Sequence, residues 1–270
     1  MPFEVIHPEI QRGKIKFAIF DFDGTISLIR EGWQQIMVPM MVDILMHTPD
    51  HESQPQVENV VRTYVANTTG KQTIYQMIRL AEEVEKRGGQ PKDPLTYKEQ
   101  YHELLMDHIT HRLAGLRQGL LSPETMTVVG SLETLQQMNN AGIKCFLASG
   151  TDEKYVLDEA ELLGITPYFE KIYGAQDDYK NFSKRMVIQK IIHQNHLQGP
   201  ELVAFGDGYV EIEDTKAVGG IAVGLATNEA DRQGGIDEWK RDRLIASGAD
   251  LIMADFKPFP QVWQYLMEED

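Results

Sequence analysis

Two aspartates separated by a single residue follow a short apolar segment near the N-terminus. Residues 15–20 (IKFAIF) lead directly into Asp21, Phe22 and Asp23, and Gly24 then permits a sharp turn. Carboxylates at positions i and i+2 of an extended chain point to the same side. One of them can attack an electrophile while the other handles a proton. An Asp-Gly pair is also common in surface turns, but the apolar segment before it favours a functional pair at a strand end.

A second set of polar groups, Ser149, Gly150 and Thr151, follows the apolar residues 143–148. A helix is predicted to begin at residues 152–153, and hydroxyl and backbone N–H groups at the start of a helix bind phosphate oxygens well. The set therefore indicates an anion-binding site. An ordinary helix cap, in which Thr151 satisfies the first turn, fits the same residues.

Lys184 stands directly after Ser183, which is expected to cap a helix that runs to about residue 196. A cation in the first turn opposes the helix dipole, which indicates an anion close to Lys184. A solvated surface lysine is the alternative interpretation, and Lys180 is a rival candidate for the same role.

A fourth set begins with Asp207, which stands between two glycines after the apolar residues 202–205. Together with Asp21, Asp207 would supply the hard oxygen ligands that Mg²⁺ prefers, with room left for water and substrate. Glu211 and Asp214 lie on the turn or helix that follows. A charge-rich loop is the alternative interpretation of this set.

All four sets require a scaffold that brings the ends of several strands together. Five apolar segments are too short for helices, and helical segments lie between them. These segments are 15–20, 143–148, 202–205, 221–226 and 251–253. The alternation predicts an α/β fold, a Rossmann-like parallel sheet with helices on both faces, which binds ligands beyond the carboxyl ends of its strands. Ser122 and Pro123 predict the start of one of the helices, which Gly142 would end.

The segment 30–121 differs from the segments that flank it. It carries ten lysines and arginines against twelve acids, whereas the rest of the chain carries 16 against 29. Its apolar residues recur with helical spacing, as in the helix predicted around Trp33, and no strand is predicted in it. We therefore expect an α/β domain formed by residues 1–29 and 122–270, with a small helical domain inserted after its first strand.

The composition of the 270 residues limits the choice of partners. A net charge of −15 at pH 7 argues against nucleic acid and anionic membranes, because both bind basic surfaces. No apolar run is long enough to cross a membrane, and the N-terminal residues lack the apolar core of a signal peptide. Cys145 is the single cysteine, which excludes an intrachain disulfide. We expect a soluble, cytoplasmic protein, a monomer or weak homodimer, that binds a small molecule.

The four sets, in this order, resemble the four motifs of the haloacid dehalogenase superfamily of hydrolases. The residues that carry the resemblance are, in motif order, 21–25 (DFDGT), Ser149-Gly150, Lys184, and Asp207 with Glu211. The resemblance covers about residues 1–29 and 122–270. The segment 30–121 is similar in position to the superfamily's helical cap domain.

The resemblance implies a phosphoryl-transfer mechanism. Asp21 would attack the phosphoryl group and form an aspartyl-phosphate, which divides one difficult step into two. Asp23 would protonate the leaving oxygen and then activate the water that hydrolyses the intermediate. Ser149 and the N–H group of Gly150 would hold phosphoryl oxygens, and Lys184 would neutralise negative charge on the nucleophile and the phosphate.

The resemblance also implies a bound Mg²⁺, held by the carboxylates of Asp21 and Asp207 and by the backbone carbonyl of Asp23. The fourth motif usually has a second aspartate where this chain has Glu211. Either Glu211 or Asp214 is therefore expected to complete the metal site.

Asp23 also distinguishes between reactions within the superfamily. Dehalogenases lack an acid at this position because their leaving group needs no proton, so Asp23 together with Thr25 favours phosphate monoesters. Thr25 is also expected to help bind the substrate. The leading hypothesis is a Mg²⁺-dependent phosphatase that acts on a small phosphorylated metabolite, such as a sugar phosphate. The alternatives are a phosphomutase of the β-phosphoglucomutase kind and a non-catalytic module that binds a phosphorylated ligand.

Substrate contacts from the helical segment are expected next to Gly70, from Thr69, Lys71 and Gln72. A helix cap and a surface lysine fit the same residues. Phosphonate hydrolases of the superfamily use a cap lysine, for which Lys71 is a candidate, but Asp23 argues against that reaction.

Overall fold

The computed structural model describes residues 3–176, 183–231 and 235–268. Contacts between Cα atoms divide the chain into two compact units. An α/β unit comprises Met1–Glu31 and Arg112–Asp270, and a helical unit comprises Gly32–His111.

The helical unit is built from helices whose apolar faces form its core. They are α1 (Trp33–Met46), α2 (Gln54–Thr68), α3 (Thr73–Lys86) and the larger part of α4 (Pro94–Arg117). No residue of this unit, all of which the structure describes, lies in a β-strand. The polar helix α2 was not anticipated from the sequence, because its charged and amide side chains hide the apolar spacing of its buried valines.

The observed limits of the helical unit, 32 and 111, differ from the expected limits of 30 and 121. The difference arises because the last turns of α4 belong to the α/β unit. There Nη1 of Arg112 donates hydrogen bonds to the backbone carbonyls of Ile29 at 2.8 Å and Glu31 at 2.7 Å. These bonds fix the end of α4 to the segment that follows the first long strand.

The described part of the α/β unit contains a seven-stranded sheet in the order β1-β7-β6-β5-β2-β3-β4. The strands are β1 (Glu4–Val5), β2 (Phe17–Phe20), β3 (Lys144–Asp152), β4 (Lys171–Ala175), β5 (Leu202–Gly206), β6 (Ile221–Leu225) and β7 (Leu251–Met253). All neighbouring pairs are parallel except β1 with β7. The predicted α/β fold is confirmed, and the two edge strands, β1 and β4, were not predicted.

Helices cover both faces of this sheet. They are α5 (Ser131–Asn140), α6 (Glu153–Leu162), α7 (Lys184–Asn195), α8 (Tyr209–Ala217), α9 (Glu238–Ala246) and α10 (Phe259–Met267). Ile19 on β2 packs in one buried cluster with Ile188 of α7. The next residue, Phe20, points to the opposite face and stacks on Phe205, which contacts Phe259 of α10. None of the helices in the described ranges is long and apolar enough to cross a membrane.

The prediction of a single helix between residues 122 and 142 is wrong. A short 3-10 helix at Pro123–Met126 is followed by an extended segment, and α5 begins only at Ser131. The interruption has a structural cause, because Thr127 forms an antiparallel bridge with Ser27. The chain therefore leaves the helical path to pair with the loop after β2.

Candidate active site

The predicted functional residues lie at or near the carboxyl ends of three neighbouring strands. Phe20 at the end of β2 lies opposite Leu147 on β3 and Phe205 on β5. β5 ends one residue later, whereas β3 continues to Asp152 and itself carries Ser149, Gly150 and Thr151. Asp21 follows β2 directly, and Asp207 follows β5. The structure therefore brings the first, second and fourth sets of polar residues to one edge of the sheet, as the sequence predicts.

Asp21 is buried and lies against a lysine from α7. Nζ of Lys184 is 2.9 Å from Oδ1 of Asp21, and the backbone N–H of Phe22 donates to the same oxygen at 2.7 Å. Ser183 caps α7 by accepting a hydrogen bond from the backbone N–H of Met186 at 3.1 Å, which confirms the predicted helix start. The anion that the sequence indicates beside Lys184 is thus Asp21, whereas Lys180 lies outside the described residues.

Glu211 forms a contact that the sequence did not predict. Its Oε1 accepts a hydrogen bond from Lys184, so the lysine is shared between Glu211 and Asp21. Oε2 of Glu211 is buried and has no hydrogen-bond partner among the described residues. Asp214, the alternative to Glu211, instead accepts a hydrogen bond from Arg185 at 2.8 Å. Of the two acids considered for the metal site, Glu211 is therefore the one that belongs to this cluster.

Asp23 is held by the C-terminal part of β3. The hydroxyl of Thr151 donates to Oδ2 of Asp23 at 2.8 Å, and the hydroxyl of Ser149 lies 3.5 Å from the same oxygen. Asp152, not Thr151, occupies the N-cap position of α6, so the alternative role of Thr151 as a helix cap is wrong. Burial raises the pKa of Asp23 to about 7, and the cation Arg30 acts in the opposite direction.

Arg30 brings a further charge to this side of the site. Its Nε lies 3.9 Å from Oδ1 of Asp23. The guanidinium is held by Glu159 of α6, with Nη2 at 2.6 Å and Nε at 3.0 Å from Oε1. Both members of this ion pair are buried. The sequence gives no sign of this pair, because its partners are 129 residues apart and neither belongs to a local pattern.

Asp207 is positioned by residues of the first motif. Its backbone N–H donates to the hydroxyl of Thr25 at 3.0 Å, and Thr25 is fully buried. The hydroxyl of Thr25 thus holds the loop that carries Asp207, and binding of substrate by Thr25 stays a prediction. Gly24 has a positive φ of 75°, and a Cβ atom on it would lie only 2.3 Å from Oδ2 of Asp207. The glycine permits both the turn and the close approach of the carboxylate.

A second lysine, from α9, contacts Asp207. Nζ of Lys240 lies 2.7 Å from Oδ2 of Asp207 and 2.7 Å from Oε1 of Glu229. Burial alone would lower the pKa of Lys240, but the two carboxylates raise it above its ordinary value. Neither Lys240 nor Glu229 belongs to a motif, so the sequence carried no signal for them apart from their place in the charge-rich segment after β6.

Two carboxylates of the site, those of Asp21 and Asp207, are candidates to hold a divalent cation. Burial raises the pKa of Asp207 to about 6; Lys240 opposes this, and the nearby carboxylate of Asp21 adds to it. Two hard carboxylates that repel each other in a buried site fit Mg²⁺. Among the residues that the structure describes, no three His, Cys, Asp or Glu side chains are grouped to hold a metal. The third ligand would therefore be a backbone group, for which the carbonyl of Asp23 is the candidate.

The substrate contacts expected from the helical unit lie around the turn between α2 and α3. The hydroxyl of Thr69 donates to the carbonyl of Val65 at 3.0 Å, and Gln72 is the buried N-cap residue of α3. Lys71 lines a cavity of about 650 Å³ between these two helices. Contact of Thr69, Lys71 or Gln72 with substrate stays a prediction.

One protein-family model matches most of the chain, including all four motifs. The family model for haloacid dehalogenase-like hydrolases matches residues 18–224, a segment that includes β2 and all four motifs. No curated protein sequence matches the chain.

Several solved structures have a similar fold. A predicted phosphoglycolate phosphatase from Haemophilus somnus 129PT is 16% identical, with a TM-score of 0.61 over 93% of this chain and 99% of that chain. A β-phosphoglucomutase from Clostridium difficile is 13% identical, with a TM-score of 0.63 over 93% and 97% of the two chains. A hydrolase of the same family from Deinococcus radiodurans R1, with bound phosphate and sodium, is 15% identical, with a TM-score of 0.55 over 93% and 96%.

At these identities the solved structures show a shared fold, whereas the family model covers well over half of the chain. The matched segment contains Asp21, Asp23, Lys184 and Asp207, which the structure places at one edge of the sheet. The protein therefore belongs to the haloacid dehalogenase-like hydrolases.

Proposed function

We propose that the protein is a Mg²⁺-dependent phosphatase that hydrolyses a small phosphorylated metabolite through an aspartyl-phosphate intermediate. The observation that carries the proposal is the placement of Asp21 against Lys184, at 2.9 Å, beside an Asp23 whose pKa is raised to about 7. Lys184 thus supplies a counter-charge to one carboxylate, and burial lets its neighbour Asp23 hold a proton near neutral pH. This difference suits a nucleophile and a general acid.

In the first step, Asp21 attacks phosphorus, and the bond from phosphorus to the leaving oxygen breaks as the aspartyl-phosphate forms. Asp23 transfers its proton to the leaving oxygen, which departs as an alcohol. The raised pKa of Asp23 keeps part of it protonated at neutral pH, as this step requires.

In the second step, Asp23 is a carboxylate and accepts a proton from water. The water oxygen attacks phosphorus, the bond to Asp21 breaks, and phosphate leaves. The hydroxyl of Thr151, 2.8 Å from Oδ2 of Asp23, orients the carboxylate through both steps. Asp23 therefore returns to its protonated form at the end of each turnover.

Negative charge on the transferred group is balanced by groups at the strand ends. Ser149 and the N–H group of Gly150, on the extension of β3 beside Asp23, are suited to hold phosphoryl oxygens. Lys184, 2.9 Å from Asp21, would neutralise both Asp21 and the phosphoryl group. Mg²⁺, held by Asp21, Asp207 and the carbonyl of Asp23, would supply further positive charge and reduce the repulsion between nucleophile and substrate.

The test is turnover of phosphate esters by the purified chain. We expect release of phosphate from p-nitrophenyl phosphate and from a subset of sugar phosphates, loss of activity in EDTA, and recovery with Mg²⁺. The Asp21→Asn variant should lose turnover, and rapid quenching of the wild type should trap phosphate on Asp21. Turnover that persists in Asp21→Asn would overturn the mechanism.

The same experiment distinguishes hydrolysis from the phosphomutase alternative. A mutase would convert one sugar monophosphate into its isomer, would need a bisphosphate activator, and would release little phosphate. Phosphate release that equals substrate consumption, without an activator, supports the hydrolase. If no phosphate ester is turned over or isomerised with Mg²⁺ present, the protein is the non-catalytic binding module.

A further inference from the structure

Lys240 makes a buried contact at the site that none of the four motifs contains. Its Nζ lies 2.7 Å from both Oδ2 of Asp207 and Oε1 of Glu229. The three side chains are 12%, 11% and 19% exposed, respectively, so water screens their charges weakly. A change in the charge of Lys240 or Glu229 therefore has a strong electrostatic effect at Asp207.

The helix that carries Lys240 is fixed to the loop that carries Asp207. The guanidinium of Arg243 lies 4.5 Å from the ring of Tyr209 and 5.1 Å from the ring of Trp239. Tyr209 is the first residue of α8, two positions after Asp207. The stack of Tyr209, Arg243 and Trp239 therefore holds α9 beside the fourth motif, and Lys240 reaches Asp207 from an anchored helix.

Asp207 does not depend on Lys240 for its position. Its backbone N–H is bonded to the hydroxyl of Thr25 at 3.0 Å, and its carboxylate lies directly over Gly24. Removal of the lysine side chain would leave these contacts intact. The main effect of Lys240 at Asp207 is consequently its charge.

We propose that Lys240 and Glu229 set the affinity of the site for its divalent cation, with Lys240 opposing the cation and Glu229 offsetting that opposition. The inference rests on the proposed metal site at Asp21 and Asp207. A lysine 2.7 Å from a ligand carboxylate draws electron density from it and repels a divalent ion bound at the same carboxylate. Glu229 carries the opposite charge and attracts both cations.

The two residues therefore have effects of opposite sign. Lys240→Met should tighten Mg²⁺ binding, because a repelling charge is lost while Glu229 remains. Glu229→Gln should weaken it, because the lysine is then left with Asp207 alone. We expect a change of about tenfold or more in each direction, since unit charges a few ångströms from a partly buried ion interact by more than 1.4 kcal/mol. The double variant should lie between the two.

The experiment is calorimetric titration of the full-length, metal-free chain with Mg²⁺, and independently with Mn²⁺. Matched controls are Lys190→Met on α7 and Glu238→Gln on α9, two exposed residues that lose the same charges away from Asp207. Circular dichroism and thermal unfolding establish that each variant is folded. Lys240→Arg, which keeps the charge, should retain a dissociation constant close to that of the wild type if Lys240→Met does not fold.

Tighter binding in Lys240→Met and weaker binding in Glu229→Gln support the inference. Weaker binding in both variants would show that Lys240 only positions Asp207, and unchanged binding in both would show that the pair has no effect on the cation; either result overturns it. A wild-type chain that binds no divalent ion would overturn the metal site itself, and with it this inference. Binding that shifts as expected without any phosphatase turnover would instead overturn the proposed hydrolysis alone.

Discussion

The ammonium of Lys184 lies 2.9 Å from Oδ1 of Asp21, and it also donates a hydrogen bond to Glu211. All three residues are buried. One cation therefore neutralises two carboxylates in a region of low dielectric, where removing the shared partner is far more costly than at the surface. This relationship gives Lys184 a structural role in the site and supports the catalytic role proposed for it.

Lys184→Met should reduce kcat/KM for phosphate esters by about 100-fold or more, because the developing charge on the phosphoryl group loses a preorganised cation. It should also lower the free energy of unfolding by about 3–5 kcal/mol, because Asp21 and Glu211 are left buried without a counter-charge. Steady-state kinetics and urea unfolding measure the two effects separately.

Lys190→Met is the matched control for that variant, since Lys190 is exposed on the same helix. It should change neither quantity appreciably. Glu211→Gln keeps an acceptor for Lys184 and removes one of the two negative charges, so its kinetic loss should be smaller than that of Lys184→Met. Equal losses in Lys184→Met and Lys190→Met would contradict the role assigned to the buried lysine.

Gly24→Ala tests the close approach of Asp207 to the first motif. The new Cβ would lie 2.3 Å from Oδ2 of Asp207 and 3.1 Å from Oε1 of Glu229, at a φ of 75°. The variant should lose stability and kcat/KM together, because the carboxylate must move to relieve the clash. Thermal unfolding and turnover of p-nitrophenyl phosphate are the measurements.

Gly142→Ala separates the clash from the backbone strain. Gly142 has nearly the same φ, 77°, but a Cβ atom there would meet nothing within 4 Å. Gly142→Ala should lower the free energy of unfolding by only about 1 kcal/mol, because a non-glycine residue is strained in the left-handed region. It should leave turnover unchanged. If Gly24→Ala loses no more stability and no more turnover than Gly142→Ala, the close approach of Asp207 to Gly24 is not important for function.

Cys145 gives a prediction about pH. The side chain is buried in β3, and burial raises the pKa of its thiol to about 12. The thiolate is the reactive form, and an unfolded thiol is about half ionised near pH 8.5. Labelling with an aromatic disulfide reagent at pH 8.5 should therefore be at least about 100-fold slower in buffer than in denaturing urea.

The sign of the linkage follows from the raised pKa. Because the folded state disfavours the thiolate, the free energy of unfolding falls as the pH rises above the pKa of the unfolded thiol and towards 12. Cys145→Ala removes this dependence and is the control without a reactive thiol. Native labelling as fast as labelling in urea would mean that Cys145 is accessible in the folded protein.

The parts of the site that were predictable from sequence are those with a local signal. Asp21 and Asp207 stand at the ends of short apolar segments, and Lys184 follows a cap residue, so position alone indicated an edge of the sheet. The fold followed from the same alternation of strands and helices. The prediction of a helix that starts after Ser122 was wrong because Pro123 fits the start of a 3-10 helix equally well. The pairing of Thr127 with Ser27 ends this helix, and the sequence gives no sign of that pairing.

The parts that were not predictable are charged pairs formed across the fold. Lys240 contacts Asp207 from 33 residues away, and Arg30 contacts Glu159 from 129 residues away. A charged side chain in a polar segment gives no sign of whether it will be buried. Burial of these side chains follows from how helices α6 and α9 pack against the strand ends, which no local pattern describes.

The ion pair of Arg30 and Glu159 supports Asp23, and its loss should show in both stability and catalysis. Glu159→Gln removes the carboxylate nearest to the buried guanidinium and should lower the free energy of unfolding by about 3–5 kcal/mol. Glu161→Gln, an exposed change on the same helix, should have little effect. Urea unfolding compares the two variants directly.

A double variant then separates stability from catalysis. Arg30→Met with Glu159→Leu replaces the buried pair by apolar side chains and should recover much of the stability that Glu159→Gln loses. It should not recover kcat, because the cation 3.9 Å from Oδ1 of Asp23 is absent. Recovery of both would show that the pair serves only to stabilise the fold, whereas recovery of stability alone places Arg30 among the residues that position the general acid.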